Sequence, residues 1–351
     1  MEQDVIQSLP EYDEHKNVSF LRDDKTNMRA FVAIHRKNGD MPSFGATRFW
    51  KYDNETEALR DALRLSCLMS YKAALAGLPC GGAKGVIFHQ EDSAGQGRTR
   101  ILESYAKQIS SLKDSFITGT DVGVLQSDLF VMKRYAQNIV GFNDNSTKFT
   151  ALGVVHGIQC AVERAFRSSS VKGRTFAIQG LGKIGAAVLE AIAPEAGDVY
   201  VADTDADKVA SAKRAHKNVV EVPPDEIHRQ KVDVFCPCAM GNALNTNNVA
   251  ELSCSVIAGG ANNQIENEVV GDILQRMGIL YAPDYVINAG GLIAVYDEYE
   301  HPDSYEEERV RHKVLTIEDR LGHIFDESEK HGKPTHRIAN ELAEQTFNAY
   351  A

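Results

Sequence analysis

The stretch Arg174–Asp205, "RTFAIQGLGKIGAAVLEAIAPEAGDVYVADTD", decides the fold. It opens on an apolar strand-like run, passes through three closely spaced glycines, continues as a helical pattern and ends in a second strand, "DVYVADTD". Gly180, Gly182 and Gly185 stand in the G-x-G-x-x-G pattern. Alone, that spacing often marks only a turn. Here it lies between a strand and a helix, and Asp203 follows near the ~20-residue spacing of the dinucleotide fingerprint. Gly180 permits a tight turn, Gly182 lets the backbone approach a pyrophosphate, and Gly185 lets the helix pack closely. Lys183 and Ile184 complete the turn as cofactor-binding candidates, and the helix N-terminus offers unpaired N–H groups to phosphate. Asp203 is positioned to accept from adenine-ribose hydroxyls and to repel a 2′-phosphate, which favours NAD over NADP. Lys208 nearby weakens that preference, and a plainer role for Asp203, turning the chain into "TDADK", stays open.

Outward from this unit, further strands are expected at "VDVFCP", "CSVIAGG" and "GILYAP", with helical patterns between. Alternation of that kind predicts an α/β fold with a doubly wound parallel sheet covered on both faces. Toward the N-terminus, "MRAFVAIHR" reads as a strand and Asn54–Gly77 as an amphipathic helix with Asn54 at its N-cap. "KGVIF" reads as a short buried strand with Lys84 at the loop–strand junction, and a helix is expected from about Thr99 to Leu112. The polar "VGFNDNSTKF" reads as a hinge, with a helix beginning after it at "ALGVVHGIQCAVERAF". The chain thus divides into an N-terminal α/β domain, 1–145, and a Rossmann-type domain, 146–329, followed by a charged helical tail.

Length and composition agree with two globular domains: 351 residues, 43% hydrophobic and 25% charged. A net charge of −11, from 49 acidic and 38 basic residues, disfavours nucleic acid or an anionic membrane as partner. "MEQDVIQSLPEYDEH" has no secretory pattern, and "YVINAGGLIAVY" is too short and too glycine-broken to span a bilayer. The six cysteines read as buried thiols of a reducing compartment, so a cytoplasmic location is expected. Cys236 and Cys238, one residue apart, lack zinc-finger spacing, and no metal site is expected.

"GLPCGGAKG", Gly77–Gly85, surrounds Lys84 with very little side-chain bulk. It is not a phosphate loop of the Walker type, because no Ser or Thr follows the lysine. Lys72 lies one turn after Met69 on the preceding helix, and Asp121 sits in "TGTDVG". Each alone has the bland reading of a solvated or snorkelling charge. Together with a nicotinamide they form a chemical inventory. One lysine can hold a carboxylate, a second, desolvated and crowded, can act as acid or base near neutral pH, and the acid can carry a proton. That is what oxidation of an α-amino acid requires.

These motifs carry a resemblance. "FGATR", "ALRLS", "MSYKAALAGLPCGGAKGVIF", "TGTDVG", "QGLGKIG", "CPCAMG", "ANNQ" and "GILYAPDYVINAGG" are similar, in this order, to the glutamate/leucine/phenylalanine/valine dehydrogenases, most of all the leucine, phenylalanine and tryptophan members. The resemblance covers about Phe31 to Ile324. It implies a substrate domain first and an NAD domain second, a cleft between them, a closing helix of about 330–351 that packs back toward the first domain, and a homo-oligomer built through that domain. It also implies roles: Lys72 pairs with the substrate carboxylate, Lys84 is the catalytic lysine that activates water, and Asp121 transfers protons. Gly45 helps seat the substrate through its backbone. Thr150 and Asn262 line the cofactor cleft near the nicotinamide, with Asn262 also a substrate candidate, and Ala239 lies along the cofactor. Phe44, Met69, Leu292 and Val295 correspond to the side-chain pocket; all are apolar, so an apolar L-amino acid is expected, with a 2-oxo acid and ammonia as products, and glutamate is disfavoured. Small residues beside Lys84 are expected to leave room for substrate, nicotinamide and water.

The chain departs from the family pattern at Ala83 and Ala46, where glycines are usual, at Lys148 for a proline, at Ala294 for an asparagine, and in a shortened hinge. These departures keep a second reading in view, a non-catalytic nucleotide-binding protein on the same scaffold. A 2-hydroxy-acid dehydrogenase is disfavoured, since no histidine–carboxylate pair stands in motif context.

Overall fold

The computed structural model describes residues 6–37, 40–89, 95–143, 145–239 and 241–349. The chain forms two units: Met1–Asp144 with Val295–Ser304 and Ala343–Ala351, and Asn145–Ala294 with Tyr305–Leu342.

The first unit holds strands β1 (Asn17–Asp23), β2 (Met28–Ile34), β3 (Ser43–Phe44), β4 (Thr47–Lys51) and β5 (Gly81–His89). β5 is central: β2 pairs with it antiparallel, β3 and β4 pair with it parallel, and β1 extends the sheet beyond β2. Period-two alternation gives the sheet two buried faces. On one, Phe31, Ala33, Val86 and Phe88 meet Leu59, Ala62 and Leu63 of the helix Glu55–Leu75. On the other, Val32, Ile34, Ala83 and Ile87 meet Leu102 and Tyr105 of the helix Gly95–Ile109. Asn54 caps the first helix by accepting from Glu57 N, acidic Glu55 and Glu57 fill its first turn, and Gly77 at φ 63° follows its end.

The second unit is a six-stranded, all-parallel sheet of β6 (Phe176–Gln179), β7 (Val199–Ala202), β8 (Val219–Glu221), β9 (Val232–Pro237), β10 (Cys254–Ile257) and β11 (Leu280–Tyr281). Its order, β11-β10-β9-β6-β7-β8, runs outward in both directions from β6 and β9. The chain therefore reverses its winding between those two strands, where doubly wound sheets open a crevice at their carboxyl ends. The helix Ser146–Phe166 packs closely in this unit: a Cβ on Gly153 falls 2.6 Å from Ile287 O and 2.9 Å from Ile317 Cδ1.

Several expectations need correction. β5 begins at Gly81, so Lys84 sits inside a buried strand and not at a loop junction; hydrogen bonding to neighbours on both edges extends the strand through its glycines. The helix after the hinge starts at Ser146, which takes Ser146–Phe149 out of the polar linker. The helix expected at about Thr99–Leu112 spans Gly95–Ile109 and passes into a 3-10 turn, Ser110–Ser115. The stretch 146–329 is interrupted: Tyr296 and Tyr299, on the helix Gly290–Glu300, pack against Phe44, one tilted and one edge-on, with ring centroids 5.2 and 5.3 Å away, and 295–304 groups with the first unit. Among the described residues, no helix is long and apolar enough to cross a membrane.

Candidate active site

In the first unit, Lys84 lies on the β5 face that also carries Gly82 and Val86, and its side chain is only 5% exposed. Its Nζ stands 2.8 Å from Asp121 Oδ2. Asp121 follows Thr120, which bridges to Thr47, and Thr47 Oγ1 is held by Thr118 Oγ1 at 2.8 Å and Tyr105 OH at 3.0 Å. The pairing of β4 with β5 thus sets the lysine–aspartate distance. Burial pushes the Lys84 ammonium toward its neutral form and Arg48 adds to this; Asp121 opposes, but the lysine still ends below its ordinary value. Burial acts to raise the Asp121 carboxyl, yet Lys84 and Arg48 outweigh it and hold it at about 2. The result is a lysine that gives up its proton more readily than an ordinary ammonium, beside an acid held ionised.

The glycines around Lys84 have a different cause from the one expected. A Cβ on Gly82 falls 2.1 Å from Ser70 N and 2.6 Å from Met69 C of the helix, and one on Gly81 falls 1.7 Å from Arg36 O. On Gly85 it meets Tyr105 OH at 2.1 Å. The clearance is already filled by this chain, and it lets the helix lie directly on β5. Consequently the helix turn that carries Met69 and Lys72, both half-buried, is pressed onto the strand that carries Lys84. Ala83 is fully buried in the core on the opposite face of β5, so its methyl, a departure from the family pattern, points away from Lys84. Gly45 is likewise demanded by packing: a Cβ there falls 2.1 Å from Ala83 O, and its own N–H is given to Ile117 O. Phe44 is fully buried against Tyr296 and Tyr299, and half-buried Val295 lies 4.0 Å from a Cβ built on Gly141.

Sequence reasoning quoted Arg48 within "FGATR" but gave it no role. Its Nε donates to Asp121 Oδ2 at 2.8 Å and its other arm reaches Asp61 Oδ2 at 2.7 Å. Tyr52 OH and Arg64 donate to Asp61 at 2.5 and 2.7 Å. Burial opposes the charge on Arg48, but the two carboxylates outweigh it and keep the guanidinium charged. An arginine inside a strand motif was the available signal; its partners, distant in sequence, gave none.

In the second unit, the glycine turn has the geometry of a dinucleotide site. Gly180 adopts φ 94°, and a Cβ there falls 2.9 Å from Ala239 Cα, so the loop after β9 abuts the turn. A Cβ on Gly185 falls 1.9 Å from Gly180 O, whereas one on Gly182 meets nothing within 4 Å. Gly182 precedes the helix Lys183–Ile192 without a side-chain cap, which leaves first-turn N–H groups for a pyrophosphate. Ile184 reaches the end of β10, where a Cβ on Gly260 falls 2.3 Å from its Cγ2. Asp203 does both things considered for it locally: Oδ2 accepts from Leu181 N at 2.6 Å, pinning the turn, and Oδ1 accepts from Asp205 N at 2.8 Å. Burial acts to raise its carboxyl, but these donors and Lys208, 3.6 Å away, leave it below the usual range. These residues fit NAD. Asn262 is exposed, and its Oδ1 accepts from buried Asn288 Nδ2 at 3.0 Å. Thr150 Oγ1 donates to Ser146 O at 2.8 Å, and Leu292 is buried.

The cysteines are all free thiols, and burial pushes Cys238 up to about 11. Asp13, His35 and Cys67 bring possible metal-ligand atoms within 4.8 Å of one another. The Asp13 oxygen involved already takes His35 Nε2 at 2.8 Å and the Arg36 guanidinium at 3.2 Å, and that fixed cation opposes a metal ion there.

A doubly wound dinucleotide unit and a unit bearing a buried lysine–aspartate pair are the equipment of an NAD-dependent dehydrogenase. The chain belongs to the Glutamate/Leucine/Phenylalanine/Valine dehydrogenase family: the family model matches residues 141–348, and the model of its Glu/Leu/Phe/Val dehydrogenase dimerisation domain matches residues 15–138. It is 40% identical over 338 residues to L-tryptophan dehydrogenase of Nostoc punctiforme, covering 95% of this chain and 94% of that one. It is 34% identical over 348 residues to leucine dehydrogenase of Bacillus cereus, covering 97% and 93%. Phenylalanine dehydrogenase of Caldalkalibacillus thermarum is 35% identical over 348 residues, with 96% and 92% covered. The crystal structure of the Nostoc punctiforme tryptophan enzyme superposes with a TM-score of 0.82 over 96% of each chain, at 38% identity. The non-catalytic reading finds no support in these relatives, and the lysine–aspartate pair is intact.

Proposed function

We propose that this protein catalyses the NAD-dependent, reversible oxidative deamination of an apolar L-amino acid to its 2-oxo acid and ammonia. The observation that carries the reading is Lys84, buried in β5 with its Nζ 2.8 Å from Asp121. NAD, when bound at the glycine turn, supplies the acceptor for the α-hydrogen as hydride. Lys72 holds the substrate carboxylate as a charge-assisted partner. Lys84, driven toward its neutral form, takes a proton from the water that attacks the imino carbon. Asp121, held ionised, passes protons to and from the substrate nitrogen. The balance is one amino acid, one oxidised cofactor and one water giving 2-oxo acid, ammonium, reduced cofactor and a proton.

Gly45, Phe44, Met69, Leu292, Val295 and Asn262 are assigned to substrate, and Gly180, Gly182, Lys183, Ile184, Gly185, Asp203, Thr150, Ala239 and Asn262 to NAD. The pocket assignment is apolar, and the named relatives act on tryptophan, leucine and phenylalanine. A homo-oligomer assembled through the first domain, in the cytoplasm, belongs to the same reading; light scattering tests the former. The decisive assay mixes purified protein with NAD and a panel of L-amino acids at alkaline pH and follows the absorbance of reduced nicotinamide. Turnover of tryptophan, leucine or phenylalanine is expected. No turnover of any apolar member, or a preference for glutamate, overturns the proposal.

A further inference from the structure

Lys84 and Arg48 both reach Asp121 through one oxygen, Oδ2. The Asp121 side chain keeps 18% of its surface exposed. The carboxylate is therefore gripped through one oxygen, with Oδ1 outside that grip. Arg48 does the gripping from β4, where its register opposite Val86 of β5 puts it on the Lys84 face. It is itself gripped: Asp61, on the helix Glu55–Leu75, accepts from Arg48, Tyr52 and Arg64. The line Lys84–Asp121–Arg48–Asp61–Arg64 alternates in charge, and Tyr52 adds a neutral donor at Asp61.

We infer that Arg48, braced by Asp61, is a positioning residue for the dehydrogenase reaction: it fixes Asp121 through Oδ2 so that Oδ1 is the oxygen that exchanges protons with the substrate. The inference rests on the proposed roles of Lys84 and Asp121. A planar guanidinium bonded to two carboxylates at once restrains rotation of Asp121 in a way a single ammonium contact does not. It also adds a fixed positive charge beside Lys84, while Asp61 adds a negative one further along. The two charges act on Lys84 in opposite senses: Arg48 favours its neutral form, Asp61 its charged form.

That opposition makes the test specific. The assay is the pH dependence of kcat for deamination of the best amino acid of the panel, with KM and NAD affinity measured alongside. Deamination needs neutral Lys84, so the rate rises with pH through the midpoint of that lysine. Arg48→Gln is expected to lower kcat by on the order of 10²-fold, to leave NAD affinity within about twofold, and to move the midpoint to higher pH. Asp61→Asn, nearly isosteric, is expected to move the midpoint to lower pH with a smaller loss of kcat. The shifts report the two charges; the loss of kcat that persists at pH above the shifted midpoints reports the orientation of Asp121. Full kcat in Arg48→Gln at that pH overturns the inference. If Arg48→Gln does not fold, the kcat of Asp61→Asn at pH above its midpoint decides: undiminished kcat there overturns the bracing of Arg48. Lys84→Ala is run in parallel: full turnover there overturns the underlying roles, whereas an inactive Lys84→Ala beside an Arg48→Gln enzyme that behaves as wild type overturns only the role of Arg48.

Discussion

A lysine inside a buried strand is costly unless something nearby offsets its charge, and at Lys84 the offset is one carboxylate 2.8 Å away. Burial still leaves the lysine below its ordinary value. Lys84→Ala is expected to reduce deamination by on the order of 10²–10⁴-fold while NAD binding, which belongs to the other unit, is retained; cofactor fluorescence titration beside the turnover assay checks both. Asp203 has a comparable economy. One carboxylate pins the glycine turn through Leu181 N and, in the proposed assignment, also receives the adenine ribose. Asp203→Ser is expected to weaken NAD binding by ~10-fold or more, from loss of charged hydrogen bonds, and to narrow the preference over NADP. Isothermal titration with each nucleotide measures this.

At the scale of elements, the decisive contact is at Gly82, where the helix backbone at Met69 and Ser70 lies on the strand with no side chain between them. Gly82→Ala is expected to destabilise the first unit by about 1–3 kcal/mol or more, because the added methyl meets the backbone at Ser70 N, which cannot swing aside. It is also expected to lower kcat, since the same contact seats Lys84 near the turn of Lys72. Asn54→Ala, at the far end of that helix, removes the cap on Glu57 N and is expected to cost ~1 kcal/mol with kcat unchanged. Urea unfolding and turnover on the two variants separate seating the site from holding the helix. The helix, its cap and the Gly180–Gly185 turn were legible in sequence because each depends on neighbours a few residues away. β5 was legible only from Lys84 onward: glycines read as a turn until strands on both edges are known to bond them.

For the whole molecule, stability is expected to fall with acidification from neutral pH. His15 is buried, with Nδ1 accepting from Asp13 N and Nε2 against Leu63 O and Ser66 Oγ. Burial, helped by His35, lowers it from 6.5 to about 4. As pH drops through 6.5 the unfolded imidazole gains its proton, and the folded one does so only near 4. The unfolded state binds more protons in that window, so up to about 3 kcal/mol is lost there. His336, buried with neither ring nitrogen hydrogen-bonded among the described residues, adds a loss of the same sign, since burial lowers it too. Melting temperatures between pH 7 and 4 are expected to fall for the wild type and to fall less for His15→Gln.

Local order in the chain was enough to determine the doubly wound unit and its glycine turn with Asp203, because those signals are short-range periodicity and spacing; the family, and the roles it implies for Lys72, Lys84 and Asp121, came from the resemblance of the quoted motifs. Tertiary structure alone decided what the glycines beside Lys84 are for, which core the methyl of Ala83 fills, and that Arg48 and Asp61 brace Asp121. It also decided that Tyr296 and Tyr299 return to Phe44. The physical reason is the same each time: close approach of backbone and pairing of buried charge are made between segments far apart in sequence, and no local pattern records which segments will meet.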